Sequence, residues 1–271
     1  MDFKEKVFEI VSKIPEGEVL TYKDIAQRLG NKKAYRVVAN ILSQNRNTQI
    51  PCHRVIKSDY TIGGYFGSYK NSWKKLALLL KEGVIAVMPT DTIYGICCNA
   101  FNKKSVEKMY KLRKRNPKKP CIILISKIDD LKIFGIKLTK RKKEILQKIW
   151  PAKISVILQI NSKACIRFFE YLHRGTKSLA FRIPKSKFLL KILKISGPLI
   201  APSANWENYE PAKTISEAKK FFGKNVVYYN GGKIKGEPST LISFLNNKIE
   251  IVRKGADFNK IKNLILTSNQ Q

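Results

Sequence analysis

The stretch at residues 84–97, VIAVMPTDTIYGIC, constrains the fold more than any other. Residues 84–88 are a short apolar run with the composition of a buried strand. Pro89 opens a turn, and residues 93–97 form a second apolar run. Thr90, Asp91 and Thr92 stand between the runs: two hydroxyls and a carboxylate at a strand end. Ligands of α/β proteins collect beyond strand ends, which makes this turn a candidate binding element. Taken alone it is equally a β-turn with polar caps.

At 271 residues the chain suits one large domain or two smaller ones. Its apolar content of 44% supports a real core and argues against wholesale disorder. No apolar run approaches the ~18 residues that span a bilayer. The opening MDFKEKVFEI carries acids where a secretory signal would be apolar. The expectation is therefore cytoplasmic residence without a membrane. Five cysteines include no CxxC pair, so neither a disulfide framework nor a thiolate metal site is expected. The net charge of +33 lies mainly beyond residue 82. It suits a polyanionic partner such as RNA, DNA or nucleotide phosphates. It equally suits a solvated lysine-rich surface, because the lysines are spread rather than blocked.

From the start of the chain, Phe3, Val7, Ile10, Val11 and Ile14 recur at helical spacing and predict an amphipathic helix over 3–13. Pro15-Glu16-Gly17 ends it. Thr21 with Asp24 three residues on reads as a capping box opening a short helix to Arg28. Residues 32–44 read as another helix, and the pair forms a helix-turn-helix pattern with Arg36 on the surface that would face a groove. Next comes IPCHRVI, residues 50–56. A thiolate is a good nucleophile near neutrality and needs a neighbouring cation or base to form. His53 and Arg54 adjoin Cys52, but in an extended segment successive side chains face opposite ways, so one would miss the sulfur. The plain alternative is a buried, inert cysteine.

GEVLTYKDIAQRLG, Ala34-Tyr35-Arg36, Asn45, IPCHRVI and Gly63-Gly64-Tyr65 together resemble the active domain of the O6-alkylguanine-DNA alkyltransferases over about residues 3–70. PCHR matches that family's acceptor motif. The resemblance implies double-stranded DNA as partner and Cys52 as alkyl acceptor, with His53 helping to form the thiolate through a water. It implies that Tyr22 rotates the target phosphate and meets the flipped base, that Arg36 fills the gap left in the duplex, and that Asn45 lies near the active-site turn. A base inside a duplex must be extruded before its O6 substituent is reachable. The match begins at the active domain, so the N-terminal domain that many members carry is not expected, and the Asn45–Cys52 spacing is one residue shorter than the family's. Residues 78–83, LLLKEG, match the family's LLxxEG, whose glutamate orients the histidine; this assigns Glu82. They lie about three residues farther from Tyr65 than the family places them. The helix expected at 73–82 also falls where the first helix of the next module should be, either shared by the two or marking a truncated first module.

Past the PTDT turn, residues 105–115 read as a helix that runs into a basic cluster, Arg113, Lys114, Arg115, Lys118 and Lys119, around Asn116-Pro117. Clustered Lys and Arg hold triphosphates, although a solvated helix C-terminus has the same look. Strands are expected at 121–126, 154–160, 179–183 and 226–229, and helices at 139–148 and 214–222. Residues 161–176 read as a loop with His173 at the surface. Ser203 and Asn205 can hold phosphate or ribose oxygens, or simply cap a turn. The tail after residue 257 is expected to fray.

In this order PTDT, YKLRKRNPKKP, LAFRIP, APSAN, EPST and VRKG resemble the YrdC-like threonylcarbamoyl-adenylate synthases over about residues 72–257. The resemblance implies synthesis of threonylcarbamoyl-adenylate from ATP, L-threonine and bicarbonate, with Mg2+ on the phosphates. The product would pass to a downstream tRNA-modifying threonylcarbamoyl transferase. Thr92, Arg182 and Ser239 would hold threonine. Arg113, Arg115, Lys119, Ser178, Ser203, Asn205 and Arg253 would hold ATP. Arg113 stands where the family has lysine, and Trp206-Glu207-Asn208 where it has Ser-Gly. The expected organisation is a small helix-rich, winged-helix-like alkyltransferase domain at 1–70, an α/β twisted-sheet YrdC-like domain at 71–257 and a tail at 258–271. Two other classes stay open: a DNA-repair or lesion-sensing protein whose second domain only binds nucleotide or RNA, and a carbamoyl-transfer relative with another acceptor.

Overall fold

The computed structural model describes residues 2–245 and 249–262. Helix α1 (Phe3–Ser12) starts at a reciprocal cap: Glu5 N donates to Asp2 at 2.7 Å, and Asp2 N donates to Glu5 at 2.9 Å. β1 (Leu20–Thr21) runs into α2 (Tyr22–Arg28), capped in the same way by Thr21 and Asp24. The helix expected over 32–44 divides into a 3-10 turn, Lys32–Ala34, and α3 (Tyr35–Gln44). A second 3-10 turn, Cys52–Arg54, leads to β2 (Val55–Ile56), parallel to β1. Val7, Val11, Ile25, Val38, Leu42 and Val55 form the core of this small module.

The chain continues through α4 (Ser72–Lys81), β3 (Ala86–Pro89), β4 (Tyr94–Asn99), α5 (Lys103–Leu112), β5 (Ile122–Leu124), α6 (Lys140–Ile149) and β6 (Ile154–Gln159). Then follow α7 (Lys163–Phe168), α8 (Glu170–His173), β7 (Ser178–Arg182), α9 (Lys187–Ser196) and β8 (Leu199–Ile200). The last elements are α10 (Ile215–Phe222), β9 (Val227–Tyr228), β10 (Thr240–Ser243) and β11 (Glu250–Arg253). Strands β3 to β11 form one mixed sheet, in the order β11-β10-β6-β7-β5-β8-β4-β3-β9. β4 and β7 are buried along their whole length, and apart from Asn99, Ser178 and Arg182 at their ends they are apolar.

The segment 161–176 is not a loop, for it holds α7 and α8. Each is too short to show a clean period, and packing decides their conformation. Phe169 lies 5.1 Å from the Phe134 ring. His173 is 3% exposed, not at the surface. One ring nitrogen stands 2.8 Å from the Ile166 carbonyl, and the other accepts from Gly175 N at 3.0 Å.

The modules meet without a linker. Leu76, Ala77, Leu79 and Leu80 of α4 pack in one cluster with Ile56 and Ile62 from the first module and Leu189, Ile192, Leu193 and Val227 from the second. Ile62 N donates to Tyr228 O at 2.8 Å and Tyr228 N to Tyr60 O at 2.9 Å, so Thr61 adds a strip to the β9 edge of the large sheet. Lys219 and Asp59 pair across the same seam at 3.2 Å. Gly83, at φ +91°, ends α4; a Cβ there would run into the Asn102 amide.

Candidate functional site

A cavity of about 450 Å³ opens beside Cys52, walled by Tyr22, Tyr65, Phe66 and Tyr69, with Arg36 of α3 and Lys75 of α4 on its lining. The segment carrying Cys52 is a 3-10 turn rather than extended chain. With about three residues per turn, its three side chains fan apart. Cys52 faces the cavity, and Asn45 Nδ2 donates to its sulfur at 3.2 Å. His53 and Arg54 reach one carboxylate instead. His53 Nε2 stands 2.7 Å from Glu82 Oε1, and Arg54 grips both Glu82 oxygens at 2.9 Å each. Burial alone would raise the Glu82 pKa, but these donors outweigh it and bring it to about 2. The extra residues between Tyr65 and α4 are folded into a tight turn, with Tyr65 N donating to Ser68 O at 2.9 Å, and a 3-10 turn at Tyr69–Asn71. Glu82 thereby reaches His53 despite its longer spacing. Among the described residues no hydrogen bond joins His53 to Cys52.

Burial pushes the Cys52 thiol up, while the Asn45 N–H and the charge of Lys75 oppose the shift. Burial also raises Tyr22 to about 12. Sequence reasoning missed Lys75. It is 1% exposed, its Nζ donates to the Val55 carbonyl, and it lies 5.8 Å over the Tyr22 ring. Burial lowers its pKa to about 7. The available signal was its place in the buried stripe Ser72, Lys75, Leu76 and Leu79, where a helix meeting a core carries apolar side chains.

A second cavity of about 350 Å³ spreads over one face of the large sheet rather than only beyond its strand ends. Ser178, Ala180 and Arg182 alternate along β7, so all three face it. Thr90 and Thr92 arrive from the PTDT turn, Arg115 from beyond α5, Ser203 from beyond β8, Ser239 from before β10 and Arg253 from β11. Arg182 Nη1 donates to Thr92 Oγ1 at 3.3 Å, and Arg253 Nη2 donates to Ser239 O at 2.8 Å. Ser239 Oγ lies 2.9 Å from Ser155 Oγ, and Thr90 Oγ1 lies 2.9 Å from Thr92 Oγ1. Arg115 is braced by the carbonyls of Lys119 and Pro120 at 3.2 and 2.9 Å.

Three expected ATP contacts lie off this wall. Arg113 is 2% exposed and donates to Asn205 O and Ser203 Oγ, both at 3.1 Å. Burial lowers its pKa to about 10. Its long planar fork spans the loop, where a compact ammonium would stop short. Asn205 spends its amide on the carbonyls of Trp206 and Tyr209. Lys119 turns to solvent and pairs with Glu207 at 3.0 Å. The Trp206-Glu207 sequence therefore rebuilds this corner: Lys114 Nζ lies 3.6 Å over the Trp206 ring.

Residues 78–255 match the family Sua5_yciO_yrdC, described as "Telomere recombination". Residues 2–84 match "6-O-methylguanine DNA methyltransferase, DNA binding domain", so the two matches overlap at the end of α4. The chain is 27% identical over 180 residues to the threonylcarbamoyl-AMP synthase of Pyrococcus abyssi, covering 65% of this chain and 52% of that one. It is 30% identical over 178 residues to the threonylcarbamoyl-AMP synthase of Buchnera aphidicola subsp. Acyrthosiphon pisum, covering 64% and 98%. It spans about half the length of the Pyrococcus abyssi and Bacillus subtilis relatives. The crystal structure of Pyrococcus abyssi Sua5 complexed with L-threonine shares the fold, with a TM-score of 0.61 at 24% identity, covering 68% of this chain and 54% of that one. The family match takes in most of the chain and every strand from β3 to β11, and on it the chain belongs to the Sua5/YciO/YrdC family.

Proposed function

We propose that the chain makes threonylcarbamoyl-adenylate from ATP, L-threonine and bicarbonate, releasing pyrophosphate. The observation that carries this is the second cavity, where Arg115, Arg182 and Arg253 stand among the hydroxyls of Thr92, Ser178, Ser203 and Ser239. Relatives named for this synthesis, and a similar fold that holds L-threonine, support the reading. Thr92, Arg182 and Ser239 hold the amino acid. Arg115, Ser178, Ser203 and Arg253 hold ATP, Arg113 and Asn205 brace the loop of Ser203, and Lys119 meets phosphate on leaving Glu207. Catalysis is then positioning and neutralisation of charge. Among the described residues no cluster of three or more His, Cys, Asp or Glu could hold a metal. Mg2+ would enter on the triphosphate as part of the substrate and offset its charge. The product is a reactive anhydride that a tRNA-modifying transferase consumes. No helix is long and apolar enough to cross a membrane among the described residues; the reading keeps this work in the cytoplasm.

The reading divides the chain at 1–70 and 71–257, with α4 serving both parts. Pyrophosphate release, measured with ATP, threonine and bicarbonate omitted in turn, tests the activity. Release is expected only when all three are present, and equal release without threonine overturns the assignment.

The aromatic cavity at Cys52 favours a second reading: a module that takes an alkyl group from O6-alkylguanine in double-stranded DNA. Tyr22 and Arg36 on its lining meet the duplex, Asn45 orients the sulfur, and Glu82 holds His53.

A further inference from the structure

We infer that Asp91 is the positioning residue that aims Arg182 at the α-carboxylate of the amino-acid substrate; this rests on the threonine site proposed above. Arg182 is 3% exposed, yet its N–H groups are only partly used. Nη1 reaches Thr92 Oγ1 at 3.3 Å and Nη2 lies 3.1 Å from Asp91 Oδ1, while Nε has no hydrogen-bond partner among the described residues. A buried guanidinium with open donors on a cavity wall is built to receive an anion.

Asp91 does not line that cavity, although Thr90 and Thr92 on either side of it do. Its side chain is 4% exposed. Oδ2 accepts from Lys185 N at 3.1 Å, just past the end of β7, the strand that carries Arg182. The carboxylate is therefore fixed to the backbone on one side and to the guanidinium on the other. The contact with Arg182 is ionic rather than a well-aligned hydrogen bond, since no N–H points squarely at Oδ1. It takes up neither Nε nor a well-aligned N–H of the fork, so these donors are left for a ligand. Burial works against the charge on Arg182, Asp91 restores it, and Arg253 on the same wall repels it. Removing the Asp91 charge takes away the largest of the groups that offset that repulsion and leaves Thr92 as the fork's remaining side-chain hold among the described residues.

The test is calorimetry on the full chain with three ligands: L-threonine, L-threonine amide, which lacks the carboxylate, and ATP. Asp91→Asn is expected to weaken L-threonine by about ten-fold or more, the size of one lost charge-assisted contact. ATP moves less than about two-fold, and the amide binds wild type and variant alike. Asp91→Glu, which keeps the charge one methylene away, falls between wild type and Asp91→Asn for L-threonine only. L-threonine affinity that is unchanged or tighter in Asp91→Asn overturns the inference. So does an equal loss for ATP, threonine and the amide, which is the mark of a structural role. If Asp91→Asn fails to fold, Asp91→Glu decides by the same contrast between ligands. Failure of the wild-type protein to bind L-threonine at all sinks the site reading itself, before any variant is compared.

Discussion

His53 Nε2 lies 2.7 Å from Glu82 Oε1 across 29 residues of sequence, and Arg54 closes on the same carboxylate. Glu82 is held at a pKa of about 2, below the ordinary 4.5. In the window between those values the unfolded chain binds more protons than the folded one, so stability rises with pH there. The stabilisation is complete above the ordinary carboxylate range and is lost as pH falls toward 2. Melting temperature measured from pH ~6 to ~2.5 should show Glu82→Gln lower at the neutral end and flatter through the acid limb. A variant curve that merely runs parallel to wild type would remove Glu82 from this role.

Cys52 should gain one methyl from a duplex containing O6-methylguanine. Sulfur bonds to the methyl carbon as the carbon–oxygen bond breaks, and guanine leaves with the oxygen and takes up a proton. Because burial raises the thiol pKa, the rate should climb with pH above neutrality. Intact-protein mass spectrometry checks this: the gain maps to Cys52 and disappears in Cys52→Ser. No gain with DNA binding retained would make the module a lesion sensor.

Arg113→Lys restores the family's residue, and the resemblance alone predicts activity kept or raised. The structure predicts a cost. A lysine cannot reach Asn205 O and Ser203 Oγ together, so stability should fall by about 1–2 kcal/mol. ATP affinity should move less than about two-fold, since position 113 lies off the cavity wall. Denaturant titration and calorimetry measure the two effects, and a large gain in ATP affinity would return the residue to the cavity.

The full chain should unfold in one calorimetric transition, because Ile56, Ile62, α4 and α9 share a cluster. A chain starting at residue 72 loses Ile56, Thr61 and Ile62, bares Leu76, Leu79 and Val227, and uncovers the β9 edge. It should melt lower and scatter light on heating. Two resolved transitions in the full chain would contradict the shared cluster.

Six of the nine strands of the large sheet were legible as short apolar runs between turn residues, and the motifs stood in order; β8, β10 and β11 went unread, β8 being two residues long and β11 exposed along its length. Thr92, Ser178, Arg182 and Ser239, far apart in sequence, line one cavity. What could not be read is where a side chain goes when two partners compete. Arg113 read as a phosphate ligand, and in the structure its fork is buried against Asn205 and Ser203. His173 looked exposed because nothing in its neighbours' periodicity marks α8. Residues 73–82 fitted both resemblances, and only the packing of Leu76 and Leu79 between two modules shows why. Lys75 breaks an apolar stripe, and sequence has no means to say whether such a lysine escapes to solvent or stays buried.

The pairing of Thr61 with Tyr228 has a consequence for synthesis. The ribosome delivers the chain from its N-terminus, so residues 57–62 emerge long before β9 exists. Until then the strip around Thr61 has no partner, and Ile56 and Ile62 lack part of their covering. Nascent first modules must therefore persist with an open edge while most of the second is translated, and they are exposed to proteases and chaperones for that interval. The arrival of β9 closes the seam and ends the vulnerability of both halves at once.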